Sequence, residues 1–328
     1  MAYTVTRESF VSLTSCWADP DNGLKWAIPF VLPPWLQVWW QTFSPEAELY
    51  LAAVSQEGKA IGIAPLMIKD SSASIVGSAD VCDYLDFIIA PGREHDFFKT
   101  LLDDLKQKGV SHLDLVSLRP DSAAISHLVA TAEESGCRVT SQQDDVSLEL
   151  DLPTTWDEYL GMLKSKQRHE VGRKIRRLEE RGKINYRVIE KGESVPDFMA
   201  VFIKLFSESR PDKAVFMTEK MRTFFTSLAE AMAEAGLLRS AVLELNDIPV
   251  AAIMGFDYNN TLYLYNSGYD PEYSPFSVGI LSKVLCIKDS IQTGKKRFDF
   301  LKGGEHYKYH LGGREVPIYS CQIATSLH

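Results

Sequence analysis

The same order of signals appears twice along the chain, and that repetition narrows the fold more than any single stretch does. In the second half LLRSAVLEL (237–245) reads as a strand, Asn246-Asp247 as a tight turn and IPVAAIMGFDY (248–258) as a second strand. Asn259-Asn260 turns the chain again into TLYLYNSGY (261–269). Two-residue Asn/Asp connections between apolar runs are hairpin chemistry. A helix is predicted over 274–294, with Val278, Leu281, Val284, Leu285, Ile287 and Ile291 close to a 3.6-residue period, Ser277 as its N-cap and Gly294 as its stop. KRFDFL (296–301) is the next strand. The first half runs the same way: LYLAAVS, a turn at Glu57-Gly58, KAIGIAPLMI, then SASIVG and YLDFIIA. A helix carrying Phe97, Phe98, Leu101, Leu102 and Leu105 ends before Gly109, and HLDLVSL (112–118) follows. Asp114 and Asp299 hold equivalent places in the two closing strands. The pattern predicts one α/β unit used twice, with domains over 1–150 and 151–328.

At 328 residues there is room for two such units. A hydrophobic content of 45% with 24% charged residues is that of a soluble globular protein. No apolar run approaches the roughly 18–20 residues that cross a bilayer, and MAYTVTRESF lacks the basic-then-apolar order of a secretory signal. Five cysteines (Cys16, Cys82, Cys137, Cys286, Cys321) lie far apart without a CxxC pair. No metal site is predicted, and a reducing cytoplasm is the expected compartment. The formal charge of −9 argues against general nucleic-acid binding.

Between the halves a helix is predicted over 156–182 as part of the second domain, with Trp156, Leu160, Leu163, Val171, Ile175 and Leu178 as its apolar stripe. Gly172 inside it costs about 1 kcal/mol relative to Ala, so the helix can break there. From 164 to 183 nine Lys or Arg stand against three Glu. Lys166, Arg173, Arg177 and Arg181 share one face. Arg forks grip phosphate or carboxylate in two-pronged fashion, which makes Arg173 and Arg177 candidate substrate-binding residues. A solvated charged face is the plain alternative.

Four stretches carry a family resemblance: PPWLQVWWQTF, KSKQRHEVGRKIRRLEERGK, YNSGYDPEYSPFSVG and FDFLKGGEHYKYHLG. Together they resemble the CelD/BcsL-type acetyltransferases of cellulose and exopolysaccharide synthesis, within the GNAT acyltransferase superfamily. They are also similar to the FemABX aminoacyl transferases. The resemblance implies tandem GNAT-like domains of mixed, mostly antiparallel sheet flanked by helices. It implies transfer of an acyl group, acetyl above all, from acyl-coenzyme A to an amine or hydroxyl. The acceptor would be a sugar or cell-envelope precursor, and acyl-coenzyme A a co-substrate rather than a resident cofactor. An aminoacyl-tRNA-dependent transferase is one rival, although the acidic charge disfavours tRNA; a binding module that kept the fold without the chemistry is another. The usual pyrophosphate loop of GNAT enzymes, Q/R-x-x-G-x-G/A, is absent. In its place stand Ser274, Ser277, Val278 and Gly279, where a helix N-terminus offers N–H groups to a phosphate; a plain N-cap is the alternative.

Direct acyl transfer needs a positioned carbonyl, a group that stabilises the oxyanion and a route for the acceptor's proton. Lys308, flanked by Tyr307 and Tyr309, matches the aromatic-Lys pair of the FemABX pattern. The glycines of FDFLKGGEHYKYHLGG are expected to fold the chain back so that Lys308 points into a cleft as the catalytic cation. Glu305 and His306 are the candidate proton carriers, and Asp299 a base or support. Tyr307, and Tyr265 from a row with Tyr263 and Tyr269, are candidate substrate contacts. A solvated hairpin and a packed tyrosine row are the structural alternatives.

Overall fold

The computed structural model describes residues 2–189 and 194–325. The chain divides into two compact units, Met1–Val146 with Val316–His328, and Ser147–Glu315.

The first unit opens with β1 (Tyr3–Arg7), α1 (Phe10–Ala18) and α2 (Pro33–Phe43). A meander of β2 (Glu48–Gln56), β3 (Lys59–Lys69) and β4 (Ser72–Ile75) follows, then the two-residue β5 (Ile88–Ile89). The unit continues through α3 (Glu94–Gln107), β6 (His112–Leu118), α4 (Val129–Glu134) and most of β7 (Arg138–Asp151). α3 is amphipathic as its sequence dictates: Phe97, Phe98, Leu101, Leu102 and Leu105 are all fully buried. Gly62 on β3 admits it, since a Cβ there would stand 2.3 Å from the Phe97 ring. Trp35 and Trp39 of α2 are core residues, 0% and 4% exposed.

The second unit begins with the end of β7, then α5 (Trp156–Met162), α6 (Ser165–Glu179) and β8 (Ile184–Val188). Three helices follow, α7 (Val195–Ser209), α8 (Pro211–Phe216) and α9 (Glu219–Glu234). A second meander is made of β9 (Ala241–Leu245), β10 (Ile248–Tyr258) and β11 (Thr261–Tyr269). α10 (Val278–Gln292), β12 (Arg297–Lys302), α11 (His306–His310) and the first residues of β13 (Arg314–Ala324) complete it.

Strand pairing makes the internal repeat explicit. The first unit's sheet has the order β1-β2-β3-β4-β6-β13 with β5 on β3, and the second unit's the order β7-β12-β11-β10-β9-β8. Among the described residues each sheet has one parallel pair, β4 with β6 and β11 with β12, and each pair closes a meander–helix–strand unit. The registers correspond: Ser72 faces His112 as Thr261 faces Arg297, which puts Asp114 and Asp299 in the same place. A strand that follows a helix returns parallel to the strand before that helix, because the crossover reverses the chain twice.

Several expectations need correction. The second domain does not run to 328: from Val316 onward the chain belongs to the first unit, where β13 pairs with β6 from Tyr319↔Leu118 to Ala324↔His112. Of YLDFIIA only Ile88–Ile89 is strand. The basic helix breaks at Leu163 and Lys164, whose ψ values are 143° and 144°, and not at Gly172, which lies inside continuous α6. α5 is closed by its own signals, a capping box between Thr155 and Glu158 at its start and buried Leu163 at its end. The three helices α7–α9 were not anticipated. They lay an aromatic layer of Phe198, Phe202, Phe206, Phe224 and Phe225 against the sheet. Among the described residues no helix is long and apolar enough to cross a membrane.

Candidate active site

β11 and β12 pair over only three residues, Thr261–Tyr263 against Arg297–Asp299. Beyond that point both strands are distorted. β11 gains one residue relative to β10 between Tyr263 and Asn266, and β12 gains one relative to β7 between Asp299 and Lys302. Bulges of this kind bend a strand and end its pairing. A notch opens between the strands, and backbone groups at its edges need new partners.

Lysines supply them. Lys213 of α8 donates its Nζ to the Ser267 carbonyl at 2.5 Å. Lys308 of α11 donates to the carbonyls of Leu301, Lys302 and Gly303 at 3.1, 2.5 and 2.9 Å, and pairs with the Glu305 carboxylate at 2.8 Å. Leu301 has φ 62°, a left-handed conformation that costs a bulky residue roughly 1–3 kcal/mol. It is held from both ends: its N–H donates to Asp299 Oδ1 at 2.8 Å, and its carbonyl accepts from Lys308.

α10 forms the third wall. Its N-cap Ser277 is left-handed (φ 60°) and makes no side-chain cap bond, so the first N–H groups of the helix are left to other partners. Gly279 lies under the Tyr269 ring, where a Cβ would be 2.8 Å from Cδ1. One turn on, Lys283 donates Nζ to the Gly279 carbonyl at 2.8 Å, with its ammonium 5.1 Å from the centre of the Tyr307 ring. Arg177 and Arg181 stack on Phe276, just before the helix start, at 5.7 and 4.8 Å. A cavity of about 80 Å3 opens beside α10, lined by Gln167, Val171, Lys174, Ile280, Tyr307 and Leu311 among others. The buried Gln167 Oε1 has no hydrogen-bond partner among the described residues.

The notch is electrostatically unusual. Burial, reinforced by Lys213, lowers the Lys283 pKa to about 7. Burial and then Arg210 lower that of Lys213 to about 8. Burial alone would raise the Glu305 carboxyl, but its hydrogen bond and ion pair with Lys308 outweigh this and hold it below the usual value. Burial, helped by the Glu305 charge, pushes the Tyr307 hydroxyl well up, so it stays a proton donor. A cluster of amines around one carboxylate can hold an anion, stabilise an oxyanion or move a proton.

The structure brings Asp299, Glu305, Tyr307 and Lys308 together at the notch, and Ser277, Val278 and Gly279 at the start of α10. The Ser274 carbonyl accepts from Ser277 N–H at 2.9 Å in the turn before it. Four placements differ from expectation. Lys308 does not reach out from a glycine loop; it lies on a short helix, 2% exposed, with its ammonium turned onto backbone carbonyls. Tyr265 is 7% exposed and packs on Phe225 and Phe256 at 5.5 and 5.3 Å, because the β11 bulge breaks the two-residue alternation that put it in a row with Tyr269. His306 is exposed at the start of α11, its ring 6.5 Å from that of His310. Arg173 is exposed and closed on Glu170 through two hydrogen bonds. Arg210, Lys213 and Lys283 were not foreseen. For Lys283 a signal existed, a lone charge between the apolar residues of SVGILSKVLCI. Arg210, the cap between α7 and α8, and Lys213 carry no such signal.

Residues 165–309 match the model of the acetyltransferase (GNAT) domain family. No curated protein sequence matches the chain significantly. Among solved structures the chain is similar to FemX, with 12% identity over 97% of this chain and 96% of that one and a TM-score of 0.66. It is also similar to L-PGS from Bacillus licheniformis, with 10% identity, 94% and 92% coverage and a TM-score of 0.55. A tandem GNAT protein from the clavulanic acid biosynthesis pathway aligns at 11% identity over all of both chains, with a TM-score of 0.50. The fold is that of tandem GNAT-like domains, and the stretch that matches the acetyltransferase (GNAT) domain model lies within the second unit.

Proposed function

We propose that the protein moves an acyl group, acetyl in the simplest case, from acyl-coenzyme A to an amine or hydroxyl of a sugar or cell-envelope precursor. The observation that carries this reading is the notch where β11 and β12 part, with the start of α10 and the cavity beside it. An extended thiol ester arm fits such a gap by pairing with unladdered strand backbone. The N–H groups of Val278 and Gly279, with Arg177 and Arg181 on Phe276, would take the donor's phosphates. Tyr307, protonated and lining the cavity, is placed to donate to the thioester oxygen or the departing sulfur. Lys308 and Asp299 hold the β12 end in its strained shape, so both act as positioning residues. Glu305 pairs with Lys308 and supports that shape.

The test is calorimetry of the pure protein with acetyl-coenzyme A and, separately, with aminoacyl-tRNA, followed by mass spectrometry of acylated small molecules. Binding of acetyl-coenzyme A and appearance of an acetylated sugar support the reading. Binding of aminoacyl-tRNA alone would move the donor to the FemABX-like alternative.

A further inference from the structure

Lys283 is a buried amine with no ion-pair partner among the described residues. It is 6% exposed, on a helix whose Val278, Leu281, Val284 and Ile287 are also buried. Its Nζ donates one hydrogen bond, to the Gly279 carbonyl, and among the described residues no carboxylate is in ion-pair contact with it. The groups it faces on neighbouring elements are Lys213 of α8, Glu305 before α11, and Tyr307 and Lys308 on α11; Cys286 follows on its own helix. Glu305 is taken by Lys308, so it does not neutralise Lys283. Two of the remaining neighbours are themselves cations. A lysine placed this way gives up its proton more readily than an exposed one, and its Nζ stands 5.1 Å from the centre of the Tyr307 ring, which lines the cavity.

The carboxylates near the notch are committed. Glu305 is ion-paired, and Asp299 Oδ1 holds the Leu301 N–H. Asp212 of α8 is closed on Arg210 through two hydrogen bonds. We propose that Lys283, as a neutral amine, is the catalytic base that takes the proton from the acceptor's amine or hydroxyl. The inference rests on the acyl-transfer reading above. As the acceptor nitrogen or oxygen bonds to the thioester carbonyl carbon, its proton passes to Lys283 Nζ. Collapse of the tetrahedral intermediate breaks the C–S bond, and the leaving thiolate receives that proton. One proton moves from acceptor to sulfur, and no further reactant is needed. The lowered Lys283 pKa, about 7, agrees with a base that works near neutral pH.

The experiment compares wild type with Lys283→Met and Lys283→Arg. General-base loss typically lowers turnover by about 100- to 10,000-fold. Both variants are expected to lose kcat to that extent, while acetyl-coenzyme A binding holds. Arginine separates a base from a mere cation, because it keeps the charge and cannot be deprotonated in a protein. Wild-type kcat/KM is expected to rise through an apparent pKa near 7, a limb that the residual activity of Lys283→Met lacks. Carbon-13 NMR of the Lys283 Cε gives the pKa of the group directly, whether or not the variants fold. Full activity in either variant, an unchanged pH limb in Lys283→Met, or titration of Lys283 near the ordinary lysine value would overturn the assignment. A wild-type protein that acylates no acceptor would instead sink the acyl-transfer reading, and this inference with it.

Discussion

Lys308 and Lys283 lie in one notch and play opposite parts. Lys308 saturates its ammonium with three carbonyls and a carboxylate, so removing it leaves buried acceptors empty. Breaking a buried charged network in this way costs on the order of 3–5 kcal/mol. Lys308→Met is therefore expected to lower the urea midpoint sharply, as read by circular dichroism. A melting temperature equal to wild type would show that the carbonyls find other partners. Lys283→Met should do the reverse and hold or raise stability, because it replaces an unpaired buried amine with an apolar chain of similar length. The pH dependence has a definite sign. With its folded pKa near 7 and its ordinary value at 10.5, Lys283 binds more protons unfolded than folded between those limits. Its penalty is fully present below about 7 and fades as pH rises toward 10.5. Wild type should gain stability across that window relative to Lys283→Met, and parallel melting curves would contradict this. The gathering of these groups was legible in the sequence, since FDFLKGGEHYKYHLGG holds several residues that do meet at the notch. The direction of Lys308 was not, because it depends on two bulges that alternation rules do not foresee.

At the scale of elements, the meanders, α3, α10 and the closing strands follow from turn residues and period. α7–α9 were missed although their apolar content is high, and with them the aromatic layer that buries Tyr265. That layer depends on a close approach: a Cβ at Gly268 of β11 would lie 2.2 Å from the Phe206 backbone nitrogen of α7. Backbone cannot yield as a side-chain tip does. Gly268→Ala is expected to destabilise the second unit by an amount at the upper end for single substitutions, above about 4 kcal/mol, measurable by urea unfolding. A loss below 1 kcal/mol would mean that α7 can shift. The basic helix places its arginines in distinct surroundings. Arg177 and Arg181, stacked on Phe276, are the arginines placed beside the α10 N-terminus, whereas Arg173 is held by Glu170. Reversing Arg177 and Arg181 to Glu should weaken acetyl-coenzyme A binding and flatten its salt dependence, with stability within about 0.5 kcal/mol of wild type. Unchanged affinity in calorimetry would return these residues to a solvated face.

For the whole molecule, the repeat could be read from the order of turns, helices and strands, because each unit builds its sheet mainly from local pairings. The destination of the last strand could not, since a C-terminal strand can join any open edge that suits its pattern. Here residues 316–324 complete the first unit on β6. A chain ending at Glu315 is therefore expected to lose hydrogen-exchange protection over residues 112–118 while β9–β11 keep theirs. That the parted strands of the second unit receive the acyl donor is open to direct measurement. Hydrogen–deuterium exchange with and without saturating acetyl-coenzyme A tests it most directly. The prediction is new protection over residues 264–269 and at the first turn of α10, Val278 to Ile280. Protection that leaves both segments unchanged while acetyl-coenzyme A binds elsewhere in the chain would contradict it.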